Sequence, residues 1–310
     1  MRITFLGTSA GVPTRARNVS CVALRLPQRG EVWLFDCGEG TQHQLLRSDL
    51  NISQVSRIFI THMHGDHVYG LMGLLATCGM SGHARGVSVY GPRGIEEYVR
   101  EVSRRTQLHT SYPLEVREVS EGAVFEDEEF AVTCAPLKHR LPAFGYRVNE
   151  RDRPGHFDVE RARELGIPPG PLYGLLKRGG RVTLEDGRAF DGADLCGPEI
   201  RGRSVVYCTD TIYCRSAVEL SRGADLLIHE ATFAEADEGL AVRSTHSTAA
   251  MAGRVAREAG ARKLLLTHFS PRYFPGNQTG PEDLLREARA VFPEAELAHD
   301  FLSVDVARRE

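Results

Sequence analysis

No stretch of this chain approaches 18 continuous apolar residues, so no bilayer-spanning helix is expected. The opening Arg2-Ile3-Thr4-Phe5-Leu6-Gly7 holds far too short an apolar run for a secretory leader. Cysteine is sparse and unpaired in pattern. Cys21, Cys37, Cys78, Cys134, Cys196, Cys208 and Cys214 are odd in number, scattered, and contain no Cys-x-x-Cys pair. That argues against a disulfide frame or a structural zinc knuckle, and it fits small buried hydrophobes in a reducing compartment, which points to a cytoplasmic protein. Charge of one sign is also lacking. A net charge of -3 gives no global positive field, so any nucleic-acid surface must be a local patch. Internal repeats and low-complexity tracts are absent as well. What the chain does have is 310 residues with 42% hydrophobic content, enough for one large core and a single domain over 1–310.

Short Val, Ile, Leu and Phe runs bounded by Gly, Pro or polar residues predict strands near 2–6, 20–26, 32–36, 57–61, 87–90, 130–135, 144–148, 204–208, 225–229 and 263–267. Helical patterns fall near 40–49, 67–78, 94–105, 215–222, 246–258 and 281–291. This alternation predicts an α/β sandwich and not an all-β or all-α chain.

The densest chemical signal is Thr61-His62-Met63-His64-Gly65-Asp66-His67, directly after the strand-like Arg57-Ile58-Phe59-Ile60. In an extended strand end His62 and His64 share a side, and Gly65 is expected to let the backbone turn so that Asp66 and His67 swing back toward them. Imidazole nitrogens with a carboxylate suit zinc, and four such side chains exceed what one tetrahedral ion uses, so the spacing asks for two metals. The plain alternative is a His-rich surface loop that binds no ion.

These residues resemble the His-x-His-x-Asp-His signature of the metallo-β-lactamase superfamily, which implies a four-layer αβ/βα sandwich with a dinuclear site at the edge of two packed sheets. One stretch interrupts the strand–helix cadence. From 150 to 203 the chain thickens with Pro, Gly and charge, and Gly166 to Arg181 carries too many breakers for a core element, so it reads as an insertion projecting from the body. Its acidic and basic residues balance, leaving Lys177, Arg178 and Arg181 as a local positive cluster on glycines, where backbone N–H groups can also approach a phosphate.

With that insertion the resemblance narrows to ribonuclease Z, the family of endonucleases that remove the 3′ trailer from precursor tRNA, and it covers essentially the full length. Gly170-Pro171 through Lys177-x-Gly179 resembles the tip of the family's flexible tRNA-gripping arm. Phe5 to Asn18, with Arg15 and Arg17, resembles the opening loop placed near the acceptor 3′ end. Phe35-Asp36-Cys37-Gly38-Glu39-Gly40-Thr41-Gln42, His229-Glu230-Ala231-Thr232, His246-Ser247-Thr248 and Thr267 to Tyr273 resemble further family motifs. The resemblance implies two Zn²⁺ per chain. His62, His64 and His139 would hold one, Asp66, His67 and His268 the other, and Asp210 would bridge them. It also implies a homodimer acting on precursor tRNA, with no membrane and no other protein partner. His139, Asp210 and His268 each follow a predicted strand, where α/β scaffolds gather their sites. One departure stands out: the family commonly follows the bridging Asp with Thr-Arg-Pro, whereas this chain reads Asp210-Thr211-Ile212-Tyr213, losing an arginine that could hold a phosphate or carboxylate.

Two-metal hydrolysis assigns Asp66 to position or deprotonate the nucleophile, and His246, outside the inferred ligand set, to protonate the leaving alkoxide with Glu230 orienting it. The alternative for His246 is a role at the helix start marked by Ser247-Thr248. His43, His83, His109, His156 and His299 carry no such context and are expected at surface or core. A small-molecule hydrolase or another phosphodiesterase of the superfamily would share the metal site but lack the Gly-Pro-rich arm. A non-catalytic binding module would be expected to lose ligands, and none is lost.

Overall fold

The computed structural model describes residues 1–80, 85–274 and 277–308. In chain order the strands are β1 (Arg2–Gly7), β2 (Cys21–Leu26), β3 (Glu31–Phe35), β4 (Val55–Phe59), β5 (Val87–Gly91) and β6 (Leu114–Glu118), which form one sheet. A second sheet takes β7 (Gly122–Glu126), β8 (Phe130–Leu137) and β9 (Ala143–Glu150). After a separate hairpin of β10 (Arg181–Thr183) and β11 (Ala189–Asp191), it continues with β12 (Ser204–Cys208), β13 (Leu226–Glu230), β14 (Leu264–Thr267) and β15 (Ala295–Leu297). Finally β16 (Ser303–Asp305) returns to pair antiparallel with β1 and lock the two halves together. Among the described residues each large sheet therefore has seven strands, and each passes from antiparallel pairs to a parallel run, β3 to β6 and β12 to β15.

The central parallel strands β3, β12, β13 and β14 are largely buried on both faces because both faces are covered. Trp33 and Phe35 of β3 point between the sheets, where they meet Phe59, Phe130, Tyr146 and Tyr207. Val32 and Leu34 of the same strand point outward with Leu45, Leu71, Leu74 and Ile95 from the covering helices. The second sheet repeats the pattern: Val205 and Tyr207 face inward, Val206 and Cys208 outward against the helix Ala249–Ala259. Three hydrophobic layers thus separate helices, sheet, sheet and helices, the four-layer sandwich expected from the sequence.

Several expected elements change at their edges or were missed. The helix expected over 67–78 is split into Gly65–Val68 and Leu71–Met80. At the break a Cβ on Gly70 would stand 2.0 Å from the Gly38 carbonyl oxygen, so the backbone passes too closely for a side chain. The helix expected from 246 begins at Ala249, where the Thr248 side chain accepts from the Met251 N–H. Strands β6 and β7 escaped notice because LEVRE is largely charged, GAVFE opens on a glycine, and both are little buried.

The span between β9 and β12 contains more regular structure than its breakers suggest. Helices Val159–Glu164 and Pro171–Leu176 and the β10–β11 hairpin enclose a small core of Phe157, Ala162, Ile167, Tyr173, Leu176, Val182 and Leu195. The second helix falls inside the run expected to be unsuited to a core; Pro171 sits in its first turn, where a missing N–H costs nothing.

Candidate metal centre

Every candidate ligand lies just beyond the C-terminal end of a strand. Thr61 to His67 follow β4, His139 follows β8, Asp210 follows β12 and His268 follows β14. The strand itself stops at Phe59, so His62 and His64 are presented by extended backbone after it, and Asp66 and His67 by the first turn of Gly65–Val68. Gly65 stands at that turn without a positive φ, and a Cβ there would come within 2.1 Å of the Tyr69 ring.

Two ligand sets result. In the first, His62 Nε2 lies 2.9 Å from His64 Nδ1, His64 Nδ1 lies 3.2 Å from His139 Nε2, and Asp210 Oδ2 lies 3.5 Å from His62 Nε2. In the second, Asp210 Oδ1 stands 3.2 Å from both His67 Nε2 and His268 Nε2, and Asp66 Oδ2 stands 3.3 and 3.5 Å from the same two nitrogens. Ligand atoms held about 2.1 Å from a tetrahedral zinc are about 3.4 Å apart, so both sets have the spread of a coordination shell. Asp210 turns one oxygen to each. The buried Nε2 atoms of His67 and His268 have no hydrogen-bond partner, a condition a cation would relieve.

The imidazoles are oriented from behind. His67 Nδ1 donates to Asp36 Oδ2 at 2.8 Å, and Tyr207 donates its hydroxyl to the same oxygen at 3.0 Å. His62 Nδ1 bonds Thr61 Oγ1, which in turn donates to Asp36. His139 Nδ1 lies 3.2 Å from the Thr245 carbonyl, and His268 Nδ1 2.9 Å from Thr232 Oγ1. With the rear nitrogen protonated, the lone pair of each Nε2 faces the site. Asp36, Asp210, Thr245 and His268 all adopt positive φ, from 51° to 60°. Non-glycine residues bear that strain, of order 1–3 kcal/mol each, only where surrounding contacts over-determine them, and here they cluster at one site.

Electrostatics fit a cation. Burial disfavours protonation of His67, but the charges of Asp210, Asp36 and Asp66 outweigh it and hold its pKa well above the usual value. Burial keeps His62, His64 and His139 on the neutral side. Carboxylates concentrated on one imidazole in this way demand positive charge, which a divalent metal supplies better than a proton.

Glu230 and His246 meet beside the ligands. His246 Nδ1 donates to Glu230 Oε1 at 2.9 Å and its Nε2 stands 4.0 Å from Asp210 Oδ2. The buried Glu230 carboxylate also accepts from the Thr211 and Ser247 N–H groups and the Thr232 hydroxyl. Burial lowers the His246 pKa, but the Glu230 charge and hydrogen bond raise it further, to about 9.

The expected RNA contacts fare differently from one another. Lys177, Arg178 and Arg181 are exposed, and among the described residues none is in an ion pair, while Arg161, Arg163 and Arg188 of the same span are paired with Glu164, Glu160 and Asp186. Arg15 is exposed. Arg17 is turned inward: its Nη1 donates to Thr8 Oγ1 and the Ala298 carbonyl at 2.7 and 2.8 Å, and its guanidinium lies over the Phe269 ring. His43, His109, His156 and His299 are exposed, as expected, and His83 lies outside the described residues. Sequence reasoning missed the orienting roles of Asp36, Thr61, Tyr207 and Thr232. Asp36 alone had a signal, a carboxylate closing an apolar strand.

The sandwich and its His/Asp cluster define a protein of the metallo-β-lactamase fold with a centre suited to divalent metal. The profile described as "Beta-lactamase superfamily domain" matches residues 179–269, and that described as "Anti-Pycsar protein Apyc1" matches residues 1–148. The chain is 63% identical to ribonuclease Z of Acaryochloris marina over 309 residues, covering 100% of this chain and 98% of that one. It is 62% identical to ribonuclease Z of a Nostoc species, covering 100% and 96%. Among solved structures, human tRNase Z, short form, superposes with a TM-score of 0.69 at 30% identity, covering 99% of this chain and 100% of that one. The chain belongs to the ribonuclease Z family.

Proposed function

We propose that this protein is a zinc-dependent endoribonuclease that removes the 3′ trailer from precursor tRNA and leaves a 3′-hydroxyl on the tRNA. The observation that carries the proposal is the pair of ligand sets sharing Asp210, in a chain over 60% identical along its whole length to ribonucleases Z. His62, His64, His139 and Asp210 would hold one Zn²⁺, and Asp66, His67, His268 and Asp210 the second. Bound there, the ions would lower the pKa of water from 15.7 toward about 7 and neutralise charge on the scissile phosphate.

The chain's own residues supply the proton traffic. Asp66 uses Oδ2 toward the second ligand set, leaving Oδ1 to take the proton of the attacking water. His246 is held by Glu230 with Nδ1 engaged and Nε2 facing the site, so a proton on Nε2 can pass to the departing 3′ oxygen. The tRNA is therefore released with a 3′-hydroxyl, and the phosphate stays on the 5′ end of the trailer. Residues 150–203 serve as an arm that holds the tRNA away from the site through Lys177, Arg178 and Arg181, with Arg15 near the 3′ end. Arg17 acts as a brace of the opening loop and not as an RNA contact. The protein works as a homodimer in the cytoplasm. Ile212 stands in place of the family's arginine, so no cationic side chain meets a phosphate at that position; Tyr213 beside it donates its hydroxyl to Glu258 and lies under the Arg254 guanidinium.

Incubation with 5′-labelled precursor tRNA should give one cut at the trailer junction, abolished by chelator and restored by Zn²⁺. A protein that hydrolyses small phosphodiesters but leaves precursor tRNA whole would refute the RNA reading.

A further inference from the structure

The opening loop between β1 and β2 is bonded to a carboxylate of the metal centre. At its tip Gly11 donates its backbone N–H to Asp66 Oδ2 at 2.8 Å. That is the oxygen facing His67 Nε2 and His268 Nε2 at 3.3 and 3.5 Å. The loop is fastened on the other side of the same ligand set too. Ala10 donates its N–H to the Phe269 carbonyl at 3.0 Å and Phe269 donates to the Thr8 carbonyl at 2.9 Å, and Phe269 directly follows His268. One short segment therefore ties together the backbone just after His268 and the side chain of Asp66.

Something must hold the loop at that height, and Asp300 does. Its carboxylate accepts from Thr8 Oγ1 at 2.7 Å, from the Asn18 N–H at 2.7 Å and from Gln44 Nε2 at 3.0 Å. Thr8 and Asn18 are the two feet of the loop, so a single carboxylate clamps both. Arg17 braces the same corner through Thr8 and Ala298. Gly11 has φ +72° with no atom within 4 Å of where a Cβ would be, so its backbone conformation, and not lack of room, calls for glycine.

We propose that the opening loop is a positioning element for Asp66: the Gly11 N–H selects which carboxylate oxygen faces the second ligand set, and Asp300 holds the loop where that N–H can reach. A carboxylate left alone can rotate and exchange its two oxygens. A hydrogen bond from a fixed backbone donor removes that freedom and leaves Oδ1 for proton transfer. The inference rests on Asp66 being a metal ligand and does not depend on RNA being the substrate.

The direct test removes one hydrogen. A synthetic peptide of residues 1–20 carrying glycolic acid in place of Gly11, ligated to recombinant 21–310 through Cys21, replaces the N–H by an ester oxygen in the full chain. An all-amide chain made the same way is the control. Titration of the metal-free proteins with Co²⁺, followed by visible absorption, should show affinity for at least one ion falling about 10- to 100-fold in the ester chain, the usual reach of a group that orients a ligand. Turnover of bis(p-nitrophenyl) phosphate should drop similarly in kcat with KM nearly unchanged. Asp300→Ala should reproduce both effects and expose the Gly11 amide to faster hydrogen exchange, while Asp300→Glu should restore part of each. An ester chain whose Co²⁺ isotherm and kcat match the control overturns the inference, even if Asp300→Ala misfolds. The predicted metal shifts in a protein that fails to cut precursor tRNA would uphold it and remove the RNA reading instead.

Discussion

Replacing residues 153–199 by a short Gly-Ser linker should separate RNA binding from hydrolysis. The cut is geometrically mild. Asn149 of β9 pairs with Ser204 of β12, and just beyond them Arg153 bridges Ile200, so the new ends face each other across a ladder and the linker makes an ordinary hairpin. The excised core, centred on Tyr173 and Leu176, is a cluster separate from the three that stabilise the body, and no candidate ligand lies in the span. Both metal binding and hydrolysis of a small phosphodiester should persist. The loss falls on tRNA. If Lys177, Arg178 and Arg181 each meet a phosphate, each contributes roughly 0.7 to 0.9 to the log-log salt slope, about 2.1 to 2.7 for the three. Between 50 and 200 mM salt the parent should then lose about 20- to 40-fold more affinity than the triple alanine variant. Fluorescence anisotropy of labelled precursor tRNA, titrated with parent, armless and triple-variant proteins over that salt range, measures the difference. Equal affinities and equal slopes for parent and armless protein would refute the arm's role, as would loss of metal on excision, since the span would then be part of the body.

The candidate ligands were legible because each stands just beyond the end of a strand, and for all but His139, which follows the antiparallel β8, that strand belongs to a parallel run. Where such a strand is buried on both faces it must be apolar, so Val205 to Cys208 before Asp210 and Leu264 to Leu266 before His268 announce their own C-termini, the edge at which α/β sites assemble. The groups that orient the ligands were not legible, for the opposite reason. Asp36 reaches His67, 31 residues away, only because β3 and β4 are parallel neighbours in a register that puts Phe35 beside Phe59. Tyr207 reaches the same carboxylate from the other sheet, which requires the sandwich itself. Arg17 looked like an RNA contact because a basic residue in a family loop invites that reading; its inward bonds depend on Ala298, 281 residues away. Local patterns report burial and strand ends, whereas long-range polar contacts depend on which strands become neighbours.

His246→Ala should slow single-turnover cleavage by about 10²- to 10⁴-fold with metal content unchanged, and an unaltered rate would reduce His246 to a structural role at the helix start. Asp36→Asn should weaken metal affinity about 10- to 100-fold, because the donor–acceptor pairing with His67, Thr61 and Tyr207 is disturbed; an unchanged affinity would mean the His67 tautomer is set elsewhere. In metal-free protein burial lowers the His246 pKa but Glu230 raises it to about 9, so the pair's stabilisation is complete below the unfolded value of about 6.5 and lost as pH rises toward 9. The urea midpoint of chelator-treated protein should fall across that window and flatten in His246→Asn; a flat parent curve would contradict the pairing. The last prediction concerns geometry between subunits. If the arm of one subunit presents tRNA to the site of the other, an armless chain with an intact site should be rescued by an armed chain carrying Asp66→Ala, because only their heterodimer sets an arm opposite working ligands. Each heterodimer has one such site, so turnover per dimer should approach about half that of the parent. A monomer in sedimentation, or a mixture that stays inactive although heterodimers form, would show that arm and site act within one chain.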